Sequence, residues 1–204
     1  MKKIIFLGWL ALFLVPTAWA QEKLEAPVWN VGDKWVFTRG NIEVVDADQD
    51  SYTVKLSKDL GPVEKKRLEK MVFDKSSLNK TYMVKDGKRE RFTLGHRRIL
   101  NFPISLEQEW KDTFSAKAVV GPAKGTLFNY KETFKVVGWE NVKVQAGTFK
   151  AIKLEYFQES SSGRSGTAFY WYAPEVKYFV KCEYEQKLWK GAASWELASF
   201  KLKE

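Results

Sequence analysis

The chain has 204 residues, with 34 Lys or Arg against 25 Asp or Glu and a formal net charge of +9 at pH 7. Its single cysteine cannot form an intramolecular disulfide, so the sequence excludes a small domain held together by disulfides. Burial of apolar side chains must stabilise the fold instead.

The first twenty residues have the composition of a secretory signal peptide. Two lysines precede an apolar run at 4–15, and the triplet Ala-Trp-Ala at 18–20 is the small-x-small pattern behind which a signal peptidase cuts. The run is shorter than the roughly 20 residues of a membrane-spanning helix. We expect residues 1–20 to be removed and a single domain, 21–204, to begin at Gln21 in the periplasm or outside the cell. Nucleic acid is not an expected partner there.

Short segments that alternate between apolar and polar residues recur along the chain, separated by turn residues. They predict strands, in chain order, at 34–39, 41–45, 51–57, 68–73, 81–84, 89–93, 110–120, 126–137, 142–144, 149–157, 167–172, 178–185 and 195–202. The segment 63–74 is also compatible with a charged helix, and a strand near 68–73 is the favoured interpretation. About a dozen short strands joined by tight turns do not stay in one flat sheet. The predicted fold class is therefore all-β, as an antiparallel β-sandwich or a curled half-barrel.

Two predictions concern the connections between these strands. Asp86-Gly87 between two apolar-polar segments is typical of a two-residue hairpin turn. Gly138 is expected to end the strand at 126–137, and the stretch 100–109 is expected to be an irregular crossover in which Phe102-Pro103 ends strand pairing.

The sequence predicts no catalytic residue, no metal site and no cofactor. His96, the only histidine, lies between Gly95 and two arginines that disfavour its protonated form, so it is a poor general base. Cys182 shares an apolar strand face with Tyr178 and Tyr184, which favours a buried, unreactive thiol. A hydrolase whose carboxylates come from distant strands remains an alternative, because such a pair leaves no trace in the sequence.

The positive charge is concentrated between Val63 and Arg98. This region holds twelve Lys or Arg against five acidic residues, whereas the rest of the mature chain is neutral. Clustered cations create a positive potential that attracts anionic lipid head groups or acidic partners. Cations on exposed strands also prevent edge-to-edge pairing of sheets, and that alternative stays open. The candidate patch for an anionic surface comprises Lys85, Lys88, Arg89, Arg91, Arg97 and Arg98.

Seven tryptophans follow the signal peptide, at 29, 35, 110, 139, 171, 189 and 195. Aromatic side chains favour strands and fill sheet cores, so most of them are expected to be packing residues. Two other roles remain open. They could line an apolar cavity, or they could be exposed as flat platforms for sugar rings.

Four segments resemble motifs of the TapB-like exported bacterial β-domains, a family of unknown function. They are Trp-Asn-Val-Gly-Asp-Lys-Trp at 29–35, Phe-Pro-Ile at 102–104, the stretch from Val142 to Lys153, and Tyr-Trp-Tyr-Ala-Pro-Glu-Val at 170–176. The chain departs from the pattern at Lys177, where the resemblance leads us to expect glycine. The resemblance implies an all-β envelope protein and supplies no catalytic residues.

We therefore expect a non-enzymatic periplasmic or exported protein that binds an apolar or amphipathic ligand, or an envelope protein. Peripheral contact with a membrane is compatible with its charge. The alternative is a carbohydrate-binding module that uses exposed aromatic side chains.

Overall fold

The computed structural model describes residues 23–57, 70–85, 88–91, 93–95, 97–117, 125–185 and 193–204. Within these ranges the protein is all-β, as predicted, with one 3₁₀ turn at Pro174–Val176 and no α-helix. The strands are β1 Lys34–Phe37, β2 Gly40–Ala47, β3 Ser51–Ser57, β4 Lys70–Asp74, β5 Lys80–Lys85, β6 Lys88–Arg91, β7 Thr93–Gly95, β8 Glu109–Lys117, β9 Leu127–Val144, β10 Gly147–Ser160, β11 Ser165–Ala173, β12 Tyr178–Tyr184 and β13 Trp195–Lys201. The predicted signal peptide at 1–20 lies outside the described residues.

The thirteen strands form one antiparallel sheet in the order β6-β5-β4-β3-β2-β1-β13-β12-β11-β10-β9-β8-β7. Strands that follow each other in the chain pair with each other, except β6 and β7, and β1 pairs in addition with β13. The first and last strands thus meet inside the sheet, and its two edges, β6 and β7, come from the middle of the chain. The result is a nearly closed, barrel-like sheet, which corresponds to the curled half-barrel rather than the sandwich.

The predicted hairpin is present, whereas the stretch predicted as a crossover at 100–109 lies in a loop, because the strands on either side of it, β7 and β8, pair with each other. Lys85 pairs with Lys88, so β5 and β6 are joined by two residues, as Asp-Gly indicated, although 86–87 themselves are not described. The segment between β7 and β8 is irregular and is held by a bridge between Ile104 and Leu24.

The break predicted at Gly138 is wrong. β9 continues through it as one strand of 18 residues, and the pairing with β10 shifts by one residue next to Lys153. Glycine weakens a strand interior, but a β-bulge accommodates it without ending the strand. The sequences predicted at 126–137 and 142–144 therefore belong to the same strand.

Aromatic and aliphatic side chains fill the interior. Of the six described tryptophans, Trp29, Trp35, Trp110 and Trp171 are buried, and Trp139 and Trp195 are half-buried. The prediction that most tryptophans are packing residues is confirmed for these six, while Trp189 lies outside the described residues. None of the six is an exposed platform.

Candidate functional site

A cluster of polar side chains is buried inside the sheet where β8, β9 and β10 lie side by side. We call it the polar cluster, and it comprises Arg97, Arg98, Asp112, Glu132, Tyr156 and Gln158. The strand register brings its acids together, because Asp112 on β8 is paired with Glu132 on β9, which is paired with Gln158 on β10. Two carboxylates from segments 20 residues apart in sequence thus become neighbours in the core.

Glu132 is the centre of the polar cluster. Its side chain is fully buried, and Arg97 donates to both of its oxygens, from Nε at 2.7 Å and from a terminal nitrogen at 2.8 Å. Gln158 donates to the same carboxylate at 2.6 Å, and the Tyr156 hydroxyl donates to it as well. A buried carboxylate needs this compensation, because removing an ion from water costs several kcal/mol.

Asp112 forms the second ion pair of the polar cluster. The Arg98 guanidinium donates to Asp112 Oδ1 from a terminal nitrogen at 2.7 Å, and the Arg98 backbone amide donates to Oδ2 at 2.5 Å. Trp110 donates its indole N–H to the Arg98 carbonyl at 2.8 Å. Two consecutive arginines therefore neutralise two carboxylates that face each other across the β8–β9 pair.

The protonation of the polar cluster follows from these contacts. Burial alone would lower the pKa of Arg97, but the Glu132 carboxylate outweighs burial and raises that pKa above its usual value. Burial, reinforced by Glu132, raises the pKa of Tyr156 well above its ordinary value. Tyr156 therefore stays protonated throughout the physiological pH range, and its hydroxyl donates a hydrogen bond to the Glu132 carboxylate.

The polar cluster is built as a structural unit. A general base or nucleophile needs a free lone pair directed at a substrate. The Glu132 carboxylate already accepts hydrogen bonds from Arg97, Tyr156 and Gln158. Arg97 is covered on one side by the Phe114 ring, 4.7 Å from its guanidinium carbon. These contacts favour a role in holding the strands together.

The structure divides the predicted anionic-surface patch into two parts. Arg97 and Arg98 belong to the polar cluster, where each is paired with a buried carboxylate, so their charges are compensated. Lys85, Lys88, Arg89 and Arg91 lie on β5 and β6, which we call the basic hairpin. The backbone of these four residues is described and their side chains are not. The patch itself stays a prediction.

The two residues considered for catalysis have different outcomes. Cys182 is buried in β12, as predicted, and burial raises the pKa of its thiol to about 12, against small opposing effects of hydrogen bonds with Tyr184 and Tyr170. A thiol with that pKa is protonated at neutral pH and unreactive. His96 lies outside the described residues.

Sequence reasoning missed the acids of the polar cluster, although a signal was present. The alternation in Trp110-Lys111-Asp112-Thr113-Phe114 places the aspartate on the same face as two aromatic residues. The segment from Tyr130 to Phe134 places Glu132 in the same way. An acid at a position that period-2 alternation assigns to the core predicts a buried ion pair.

Within the described ranges, no group of His, Cys, Asp and Glu is arranged to hold a metal ion. No helix there has the length and apolar composition needed to cross a bilayer.

Comparison with known proteins gives distant structural neighbours only. No family model matches the chain, and no curated protein matches it. The hypothetical lipoprotein YmcC from Escherichia coli K12 is 11% identical with a TM-score of 0.48, and the match covers 83% of this chain and 86% of that one. A candidate exported protein with a YmcC-like fold from Bacteroides fragilis is 14% identical with a TM-score of 0.48, covering 89% and 99%.

A third neighbour is a candidate lipoprotein from Parabacteroides distasonis, 13% identical with a TM-score of 0.36, covering 84% of this chain and 96% of that one. At these identities and TM-scores the likeness carries no argument about function. The similarity to the TapB-like family stays a prediction, and the expectation of export rests on the first twenty residues of this chain.

Proposed function

We propose that this is a non-enzymatic, exported protein of the cell envelope that associates with an anionic surface through the basic hairpin. The observation that carries the proposal is the position of β6, whose four residues, Lys-Arg-Glu-Arg, form one of the two edges of the described sheet. A sheet edge is the part of a nearly closed barrel that is left without a strand partner.

The charge of the basic hairpin fits an anionic partner. Residues 80–91 contain five Lys or Arg against two acids. The neighbouring Arg97 and Arg98 are already paired with Glu132 and Asp112, so the proposal rests on the four cations of the basic hairpin. Cations near an anionic membrane surface contribute about 1 kcal/mol each to binding. Four such residues are enough for a reversible, salt-sensitive association.

The contacts in the core support the non-enzymatic part of the proposal. Both carboxylates of the polar cluster are held by arginines, and Cys182 is buried with a raised pKa. The interior of the described sheet is occupied by aromatic side chains, of which Trp35 and Tyr156 are among the largest. These features favour association through the surface over chemistry or ligand uptake inside the sheet.

Co-sedimentation with lipid vesicles tests the proposal. We expect the protein to bind vesicles that contain an anionic lipid, not purely zwitterionic ones, and to be released by salt, because exposed charges are screened within about 8 Å at physiological ionic strength. Replacing Lys85, Lys88, Arg89 and Arg91 together by glutamine should weaken binding about tenfold or more. The control is a variant with the same loss of charge elsewhere, in which the exposed Lys117, Lys135, Lys143 and Lys201 become glutamine.

Absence of binding at low salt, or an equal loss in the control variant, would refute the basic hairpin as the contact surface.

The non-enzymatic part of the proposal has its own test. Turnover of an ester or glycan substrate by the purified protein that disappears when one Asp or Glu is replaced would move the protein to the hydrolases.

A further inference from the structure

One end of the barrel-like sheet collects cations that lie far apart in the sequence. In an antiparallel meander every second connection lies at the same end. The register accordingly places the connections β1–β2, β3–β4, β5–β6, β8–β9, β10–β11 and β12–β13 together. We call this the basic end, and it includes the basic hairpin. Exposed cations at or next to these connections are Arg39, Lys55, Lys70, Lys117 and Arg164.

The cations of the basic end are spread around the sheet. Lys55 and Lys70 lie on β3 and β4, next to the basic hairpin in the strand order, and Arg39 follows β1. Lys117 ends β8, and Arg164 lies in the turn after β10, so both belong to the other half of the sheet. A compact anion reaches only one part of such a ring, whereas a flat anionic surface reaches all of it.

Two of these cations lie directly opposite each other. Lys55 on β3 is the register partner of Lys70 on β4, and both residues are exposed. Glu43 is the partner of Lys55 on its other side, but its ion pair, at 3.9 Å, is with Lys34. Among the described residues neither Lys55 nor Lys70 has a carboxylate within ion-pair distance. Like charges directly opposite each other in a sheet are destabilising, so an external anion relieves the repulsion.

The opposite end of the sheet carries an acidic turn. The connection from β2 to β3 presents three exposed aspartates, Asp46, Asp48 and Asp50. Lys75 of the β4–β5 turn donates to the Asp48 carbonyl at 2.5 Å and offsets one of the three charges. An anionic surface attracts the basic end and repels the acidic turn, so its field orients the approaching molecule.

We propose that the basic end as a whole lies on the flat surface of an anionic lipid bilayer, with the barrel upright and the acidic turn pointing away from the lipid. Lys55 and Lys70 pair with lipid phosphates on one side of the contact, and Lys117 and Arg164 do so on the other. The inference rests on the proposed function, because the basic hairpin is part of the basic end. It adds the kind of partner, a flat bilayer, and the cations outside the hairpin.

Fluorescence quenching on vesicles tests the orientation. In a Cys182→Ala background, one new thiol is introduced by Ser162→Cys in the β10–β11 turn of the basic end or by Gln49→Cys in the acidic turn, both at exposed positions. The same fluorophore is attached to each variant, and the vesicles contain phosphatidylcholine, phosphatidylglycerol and a lipid with a nitroxide on its head group. We expect quenching at position 162 and none at position 49, because only the basic end touches the lipid.

Three paired variants test the contact. Lys55→Gln with Lys70→Gln should weaken vesicle binding about tenfold or more, yet keep or raise the Tm because it removes the repulsion. Lys117→Gln with Arg164→Gln should weaken binding by a similar factor from the other half of the sheet. The matched control, Lys143→Gln with Lys201→Gln, removes two exposed cations away from the basic end and should bind like the unchanged protein. The four-lysine control for the basic hairpin includes Lys117, so it should lose a little affinity and far less than the hairpin variant.

The results separate this inference from the proposed function. If the unchanged protein does not bind the vesicles, both are wrong. If it binds but position 49 is quenched as strongly as position 162, the upright arrangement is wrong and the proposed function stands. The same holds if either pair of basic-end substitutions leaves binding unchanged, because the contact is then the basic hairpin alone.

Discussion

Two regions of the core satisfy their buried polar atoms in opposite ways. Around the 3₁₀ turn, Trp29 donates its indole N–H to the Lys177 carbonyl at 2.9 Å, and Trp35 donates to the Val176 carbonyl at 2.8 Å. We call this region the aromatic junction; it also includes the rings of Tyr52, Phe73 and Tyr178 that surround Trp29. The polar cluster instead pairs charge with charge. One region buries neutral donors, and the other buries ions.

This difference sets how each region responds to mutation. Losing one partner of a neutral buried hydrogen bond leaves a single polar group unsatisfied, at about 1–3 kcal/mol. Losing one partner of a buried ion pair leaves an uncompensated charge, at about 3–5 kcal/mol. The polar cluster should therefore be the more fragile region, although it contains fewer of the large side chains.

The largest effect is expected for Glu132→Gln. The substitution keeps the size of the side chain and removes the charge that compensates Arg97, so we expect the free energy of unfolding to fall by about 3–5 kcal/mol. Denaturant unfolding measures it. The matched control is Glu155→Gln on the adjacent strand, an exposed glutamate whose replacement should stay within about 0.5 kcal/mol.

A double variant, Arg97→Met with Glu132→Gln, sharpens the test, because the amide oxygen introduced at 132 can still accept hydrogen bonds from Tyr156 and Gln158. Removing both charges eliminates the uncompensated ion, so the double variant should recover most of the stability that Glu132→Gln loses. If the double variant were no more stable than Glu132→Gln, the loss would come from packing rather than from an unpaired Arg97.

Alkaline pH should destabilise the folded protein, because β12 buries groups that are neutral only while they keep their protons. Burial raises the pKa of Cys182 from 9 to about 12 and that of Tyr184 from 10 to about 12. Above pH 9 the unfolded chain loses these protons before the folded one does. Their contribution is fully present below pH 9 and is lost as pH rises towards 12, a fall of a few kcal/mol in unfolding free energy.

Urea unfolding at a series of pH values between 8 and about 11 measures this fall in unfolding free energy. The range spans the ordinary pKa values of thiols and phenols. Cys182→Ala should reduce the slope of this fall, because the variant removes the titrating thiol while keeping a small apolar side chain. An equally steep fall in Cys182→Ala would show that Cys182 is not responsible for the alkaline loss.

Much of the aromatic junction was predictable and the polar cluster was not, for a physical reason. Trp35 lies in a strand pattern that can be read locally, and β1, β3, β5 and β12 appear near their predicted positions. Glu132 meets Asp112 only because a nine-residue pairing of β8 with β9 sets the register between distant segments. The pairing register depends on how distant segments align across the sheet. The alternation of apolar and polar residues, in contrast, can be read from a few consecutive residues.

Arg97 and Arg98 show the same limit. In the sequence they extend a basic run, which is typical of a solvated surface. In the structure each guanidinium reaches a carboxylate on a later strand, and their exposed side-chain fractions are 18% and 30%. Net charge along a segment could not predict these two ion pairs, because both carboxylates come from another part of the chain.

A smaller loss is expected at the aromatic junction. Trp35→Phe keeps an aromatic ring but leaves the buried Val176 carbonyl without its donor, so we expect the free energy of unfolding to fall by about 1–3 kcal/mol. Trp139→Phe, at a half-buried tryptophan, is the control and should lose less. Equal losses in the two variants would show that the hydrogen bond to Val176 adds nothing beyond ring packing.

The smallest effect, and a gain, is expected at Lys177. Its backbone is left-handed, with φ of 60° and ψ of 15°, and its amide donates to the Pro174 carbonyl. That conformation costs a residue with a Cβ about 1–2 kcal/mol, and glycine avoids the cost but loses more chain entropy on folding. This explains why glycine was expected here, and the chain keeps the turn without it.

Lys177→Gly should therefore raise the free energy of unfolding by about 0.5–1 kcal/mol, since relief of the backbone exceeds the entropy lost. Lys177→Ala separates the backbone from the side chain, because alanine removes the ammonium group and keeps the Cβ that causes the strain. We expect Lys177→Ala to match the unchanged protein in thermal and urea unfolding. If alanine stabilised as much as glycine, removal of the lysine charge would be the cause, and the left-handed turn would contribute no strain to the aromatic junction.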